Sequence, residues 1–159
     1  MLGKFFALGT LVLIISVVSL AVITHQAPGW RNASCNKIPE FSDFPTEKIF
    51  TGFRPSISGP AFDLSDWKKE LTAATTSAIN YASDYVVKTK PCQKSGCVQH
   101  LMLNAKTGYV INIGLYAKKE AEFRPDSSLF VVETTATTSA QRTFYKITDN
   151  KMELVCVEK

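Results

Sequence analysis

YVVKTKPCQKSGCVQHLMLNAKTGYVINI, residues 85 to 113, carries three short apolar runs separated by turn residues. Tyr85-Val86-Val87-Lys88-Thr89 is the first, Val98 to Leu103 the second and Tyr109 to Ile113 the third. Runs of this length, rich in β-branched and aromatic residues and bounded by Gly, Asn or Pro, read as strands. Asn104-Ala105-Lys106-Thr107-Gly108 joins the second to the third as a hairpin loop, in which Gly108 supplies the positive φ that such loops require. Short strands with short connections favour an antiparallel meander.

The same pattern continues toward the C-terminus. Leu129 to Glu133 is a fourth strand, Arg142 to Thr148 a fifth and Met152 to Val157 a sixth, with Asp149-Asn150 as a tight turn before the last. Thr134 to Ser139 reads as an exposed Thr-rich loop. Toward the N-terminus, Asp63 opens a helix expected to end near Tyr81–Ser83, because Leu64, Trp67, Leu71, Ala74, Ala78, Ala82 and Tyr85 recur at spacings of three and four. Asp63 can cap it, and Asp66 adds negative charge to its first turn. Before it, Lys37 to Pro60 contains four prolines, which forbid a long helix. Phe41, Phe44, Ile49, Phe50 and Phe53 are expected to plug this arm into the domain, with a short strand around Glu47–Thr51. The expected fold is α+β: one amphipathic helix packed on an antiparallel meander of about six strands.

The N-terminus carries an address. Phe5 to Thr24 is FFALGTLVLIISVVSLAVIT, with Lys4 before it and Arg31 the next charge after it. A helix of that length spans about 30 Å, the thickness of a bilayer core. Ser19-Leu20-Ala21 also fits a signal-peptidase site after a shorter apolar core. Residues 1–24 are therefore a signal peptide or a single transmembrane anchor, 25–36 a spacer, and 37–159 an extracytoplasmic domain. Asn32-Ala33-Ser34 matches a glycosylation sequon.

Four cysteines, Cys35, Cys92, Cys97 and Cys156, all follow the apolar run. An even number in a short exported chain points to disulfides and an oxidising compartment. Three pairings exist. Cys92–Cys97 with Cys35–Cys156 is preferred, because a cross-link between the ends of the domain closes the longest loop. The net charge of +4 is spread along the chain rather than gathered into a stripe, which argues against nucleic acid as a partner.

Several motifs stand in a recognisable order. They are Phe44-Pro45 with Ile49-Phe50-x-Gly52, then Tyr85-Val86-Val87, the paired cysteines, Asn104-Ala105-Lys106-Thr107-Gly108-Tyr109-Val110, and Phe123-Arg124-x-Asp126-Ser127-x-Leu129-Phe130-Val131-Val132. This order resembles a family of small exported bacterial proteins with F-P-x-x-x-I-[FY]-x-G, C-x3-C, D-A-x-T-G-x-V and F-R-x-D-S-x-L motifs. The likeness spans Phe44 to Val132. It implies a bacterial envelope location and supplies no reaction. The chain departs from the pattern in its C-x4-C spacing and in Ile79 to Asp84, where the family has an aromatic-Gly-His stretch.

Candidate chemistry is sparse. Cys92 and Cys97 lack the C-x-x-C spacing at a helix start that makes a reactive dithiol. Cys92, Cys97 and His100 would give zinc three ligands without a fourth. Cys97 and His100 lie at odd spacing on a strand and point to opposite faces, so a nucleophile–base pair is not expected. His100 is expected to be an exposed or half-buried strand residue. Arg124, Asp126 and Ser127 form the one candidate contact site. Asp126 is expected to accept backbone N–H bonds in a turn, and Arg124 to offer its guanidinium fork to an acidic partner. No catalytic residue, metal or cofactor is implied.

These readings favour a non-enzymatic binding or inhibitor/immunity-like module whose partner is another envelope protein. The alternatives are a small-ligand binder or enzyme using the Arg124–Ser127 loop with Lys106 or Tyr109, and a structural accessory of an envelope complex. The domain is expected in the periplasm, free or held at the inner membrane by its apolar helix.

Overall fold

A computed structural model describes residues 33–59, 65–92, 96–136 and 139–158. The apolar run Phe5–Thr24 and the sequon asparagine lie outside them, and among the described residues no helix is long and apolar enough to cross a membrane. Among the described residues the fold is α+β, with one short α-helix, α1 (Lys68–Thr76), and seven strands. β1 (Tyr85–Pro91), β2 (Val98–Asn104) and β3 (Val110–Ala117) form one antiparallel meander. β4 (Glu122–Arg124), β5 (Ser127–Ala136), β6 (Ser139–Thr148) and β7 (Lys151–Val157) form a second.

The expected single sheet of six strands is thus two sheets of three and four. The extra strand, β4, is three residues long, too short to show a period in sequence. The Thr-rich stretch expected as a loop is mostly strand: Thr134, Thr135 and Ala136 pair with Gln141, Ala140 and Ser139.

Strands β1, β2 and β5 bury residues on both faces, which explains why they read as continuous apolar runs. Tyr85, Val87, Met102, Phe130 and Val132 point into a core shared by the two sheets. Val86, Leu101, Leu103 and Val110 point the other way, onto Trp67, Leu71 and Ala74 of the helical segment. Leu129, Val131 and Phe144 point outward from the second sheet, onto Phe41, Phe44 and Cys35 of the N-terminal arm. The order of layers is helix, sheet, sheet, arm. Side chains such as Phe130, Leu101 and Met102 are fully buried, each contributing about 1.5–3 kcal/mol.

The helix is shorter than its periodicity predicts. A 3₁₀ turn at Ser65–Trp67 leads into α1, which stops at Thr76; the Asp63 cap lies outside the described residues. Its last turn is crowded by hydroxyls that bond back to the helix. Thr75 Oγ1 donates to Thr72 O (2.8 Å) and Ser77 Oγ to Ala73 O (2.7 Å). Arg54 Nη1 then donates to Ala74 O and Thr75 O (3.1 and 3.0 Å), closing the C-terminus from outside. Beyond it, Asn80 acts as a short surrogate strand. Its side chain donates to Val87 O (3.1 Å) and accepts from Val87 N (2.7 Å). Ala82 and Tyr85 are buried as expected, but they reach the core from a turn and a strand.

The arm also differs from expectation. Phe41 and Phe44 pack on the second sheet, whereas Ile49 and Phe53 are 42% and 91% exposed, and no strand forms at Glu47–Thr51. This stretch is held by backbone hydrogen bonds rather than by its apolar side chains. The end of the expected spacer already belongs to the fold, since Ser34 bridges to Val157 and Cys35 N donates to Val157 O (3.0 Å).

Two disulfides close the domain, Cys35–Cys156 and Cys92–Cys97. The first ties the arm to β7 across 121 residues; the second clips the β1–β2 hairpin across 5. Loop-closure entropy assigns them about 5 and about 2 kcal/mol respectively. Denaturant titration should therefore show Cys156→Ser losing at least twice the stability lost by Cys97→Ser. Equal losses would mean that the reduced chain is already held together at its ends.

Candidate functional site

The β4–β5 hairpin turns through Pro125-Asp126, with Arg124 opposite Ser127. Pro125 locks φ near −65°, so the turn cannot be of the primed type that matches strand twist. A register shift between Phe123 and Arg124 accommodates it.

Every carbonyl at the tip is taken. Arg124 O accepts from Ala82 N (3.1 Å) and Pro125 O from Ser83 N (2.7 Å). Asp126 O accepts from Thr46 N (3.1 Å), and Thr46 Oγ1 adds a long bond to Pro125 O (3.4 Å). The hairpin is clamped between the Ala82–Ser83 turn on one side and the arm on the other.

The three predicted residues separate within this clamp. Ser127 is 1% exposed; its hydroxyl donates to Phe41 O (2.8 Å) and accepts from Leu129 N (3.2 Å). Asp126 is exposed, and among the described residues its carboxylate accepts no hydrogen bond. Its expected backbone role falls instead to its carbonyl. Arg124 is exposed, with its guanidinium 4.5 Å above the centre of the Phe41 ring. Such a cation–π contact orients the fork without neutralising it. Arg142 and Lys119 contrast with it. Arg142 meets Glu122 and Glu158 at 3.5 Å, and Lys119 meets Glu133 at 2.9 Å. Among the described residues, no carboxylate comes within salt-bridge reach of Arg124.

Lys106 is exposed and Tyr109 half-buried in the β2–β3 hairpin. That hairpin hangs from the same turn as the β4–β5 hairpin, since Ala105 N donates to Asp84 O (2.7 Å). Asn104 Oδ1 organises its loop by accepting from Lys106 N and Thr107 N (2.9 and 3.1 Å). Gly108 has φ +75° as expected, and Ser56 O crowds the place a Cβ would occupy.

Cys92 and Cys97 are spent on each other, and His100 turns inward. Contrary to expectation, His100 is 1% exposed and sits edge-on to Phe130, 5.6 Å between ring centres, in the core between the sheets. Its Nε2 accepts from Ala121 N (3.0 Å), so the proton is assigned to Nδ1. Burial also pushes the Tyr81 phenol above its ordinary range, and its hydroxyl donates to Ser128 O (2.6 Å).

Comparisons with protein-family models, curated proteins and solved structures find no match. The site's capacity must be read from its own groups. They offer a fixed guanidinium over an aromatic ring, suited to a carboxylate or phosphate. The sequence signal picked out Arg124 but missed Phe41 beneath it and Thr46 beside it, because neither pairing has a short-range pattern.

Two outcomes follow. Ser127→Ala should lower stability by about 1–2 kcal/mol, because it strips a buried carbonyl and N–H of their partner, while Asp126→Ala should leave it nearly unchanged. Equal effects in chemical denaturation would contradict the hydroxyl's role. His100 has its pKa lowered by burial from 6.5 to about 4. The unfolded chain therefore binds the proton first as pH falls, so this contribution is complete above pH 6.5 and drains away between 6.5 and 4. The loss amounts to about 3 kcal/mol. Comparing His100→Gln with the native chain over that window isolates it; parallel pH profiles would refute it.

Proposed function

We propose that this chain is a non-enzymatic binding module of the bacterial envelope, of inhibitor or immunity type, that meets an acidic protein partner through Arg124. The run Phe5–Thr24 serves as an uncleaved inner-membrane anchor, with the domain on the periplasmic side. The two disulfides are compatible with an extracytoplasmic location, where such bonds persist. The resemblance to small exported bacterial proteins supports the same compartment.

One observation carries the binding reading. Arg124 stands exposed on a hairpin whose tip carbonyls are all satisfied, with Phe41 under its guanidinium. Backbone order there is already provided by the fold, so a partner's carboxylate would meet a preorganised donor fork. Ser127, the neighbouring hydroxyl, is consumed inside the domain, which favours contact over chemistry at this hairpin.

Arg124→Ala should leave the melting temperature within a degree or two, because it removes one exposed cation–π contact. The same substitution should abolish recovery of a stoichiometric protein from detergent-solubilised envelope. Arg124→Lys should recover little of it, since an ammonium cannot form the bidentate fork. Undiminished capture by Arg124→Ala at native stability would remove this site, and a co-purified small molecule in place of a protein would redirect the reading to ligand binding.

A further inference from the structure

His100 stands on β2 of the first sheet and faces the second across the shared core, 1% exposed, with Phe130 of β5 edge-on to its ring. Its Nε2 accepts from Ala121 N (3.0 Å), one residue before β4 begins. Its Nδ1, to which the proton is assigned, is buried and meets no hydrogen-bond partner among the described residues. Neutral imidazole suits this place, because it offers the lone pair that the Ala121 N–H needs. Imidazolium does not. Both ring nitrogens would then be donors, Nε2 facing another N–H and Nδ1 facing no acceptor, around a charge held out of water. Among the described residues no charge is turned toward the ring to offset this. Phe130 faces it from β5, and Thr89 lies opposite it on β1. Lys118, Lys119, Glu120 and Glu122 of the crossover between the sheets are exposed. Tyr81, Tyr85 and Tyr145, packed in or on the same core, are phenols that burial holds above their ordinary range, so they stay neutral in acid.

The element that His100 holds is the slightest of the second sheet. β4 is three residues long, is the outermost strand and shifts register between Phe123 and Arg124. Short edge elements open at the low end of the range of local stabilities. We propose that His100 is an acid-sensitive latch between the two sheets: when its ring takes up a second proton, Ala121 is let go and the β4–β5 hairpin that carries Arg124 loosens from its base. The consequence for a partner rests on the binding reading above; the latch itself does not. The crossover stays attached at its start. Lys118 N donates to Glu133 O (2.9 Å), and a hydrogen bond from Lys119 holds the Glu133 carboxyl below its ordinary range, so that ion pair outlasts the His100 bond as pH falls. Opening therefore begins at Ala121 and runs toward Arg124.

Amide hydrogen exchange of the detergent-solubilised full chain, corrected for the intrinsic effect of pH on exchange, tests the latch. Burial lowers the His100 pKa from 6.5 to about 4, so falling pH favours the opened form by about tenfold per pH unit inside that window. The Ala121 N–H should lose protection at that rate. The N–H groups of Ala82 and Ser83, which hold Arg124 O and Pro125 O, should lose it in step. Urea below the unfolding transition should leave these rates unchanged, because a local opening exposes little surface. His100→Gln, whose side-chain carbonyl still accepts from Ala121 N, should abolish the pH slope. A flat profile in the native chain overturns the latch. So does a urea dependence equal to that of the β6 amides, which would mean that His100 is released only when the whole domain unfolds. A slope at Ala121 without one at Ala82 and Ser83 overturns its reach to Arg124. Should His100→Gln fail to fold, the native profile and its urea dependence still decide. Capture of protein from envelope extract gives a separate readout of the site. Recovery by the native chain should fall severalfold between about pH 7.5 and about pH 5, and recovery by His100→Gln should hold. Equal falls in both chains overturn control of the site, whereas no capture at the higher pH sinks the binding reading and leaves the latch to the exchange data.

Discussion

The turn at Ala82–Ser83 is the constraint on which the rest of the domain depends. Both residues adopt left-handed backbone, with φ of 45° and 59°, although neither is glycine. Such a conformation costs an L-residue about 1–2 kcal/mol. It persists because it aims successive backbone groups at three different elements. Ala82 N and Ser83 N reach the β4–β5 hairpin, Ser83 O receives the arm through Phe50 N, and Asp84 O receives the β2–β3 hairpin through Ala105 N. A helix continued to this point, as the apolar spacing implies, would have spent those groups within itself. The early stop of α1 and the hub at 82–84 are thus one feature seen twice.

The second joint between the sheets is polar and lies at another turn with two left-handed residues. Asp149 and Asn150 have φ of 49° and 61°, the signature of a tight hairpin between β6 and β7. Asn150 Oδ1 accepts from Tyr85 Oη (2.9 Å) and from Asn104 Nδ2 (2.8 Å). One side chain thereby fixes a turn of the second sheet against β1 and β2 of the first. Between this clasp and the 82–84 hub lies the shared apolar core, in which Tyr81, Phe123, Phe130 and His100 meet edge to face or stacked. Apolar burial supplies the energy there, and the hydrogen-bonded joints select which of the compact arrangements is adopted.

At the Arg124 hairpin the tip carbonyls are satisfied by the body of the domain while the guanidinium remains outside it. Little ordering cost is then left for binding there. The hairpin and the arm meet at Ser83, whose N–H holds the one and whose carbonyl holds the other. A change in that turn would move both.

The places of six of the seven strands, the Gly108 and Asp149-Asn150 turns and the α+β class were legible in the sequence because each depends on local pattern or local backbone chemistry. The cysteine pairing followed from chain topology alone, since one pair was close enough to close locally. Helix length was not legible, because Ala78, Ala82 and Tyr85 continue a helical period that the hydroxyls of Thr75 and Ser77 and the reach of Arg54 interrupt. Nor was the division into two sheets, since β4 is set by pairing with β5 and by nothing in its three residues. At the site, sequence marked Arg124, Asp126 and Ser127 as a group by adjacency. Tertiary structure separated them into an exposed guanidinium, an exposed carboxylate and a buried hydroxyl, because the arm carrying Phe41 covers the short Ser127 side chain while the longer Arg124, paired opposite it, reaches over the Phe41 ring into solvent.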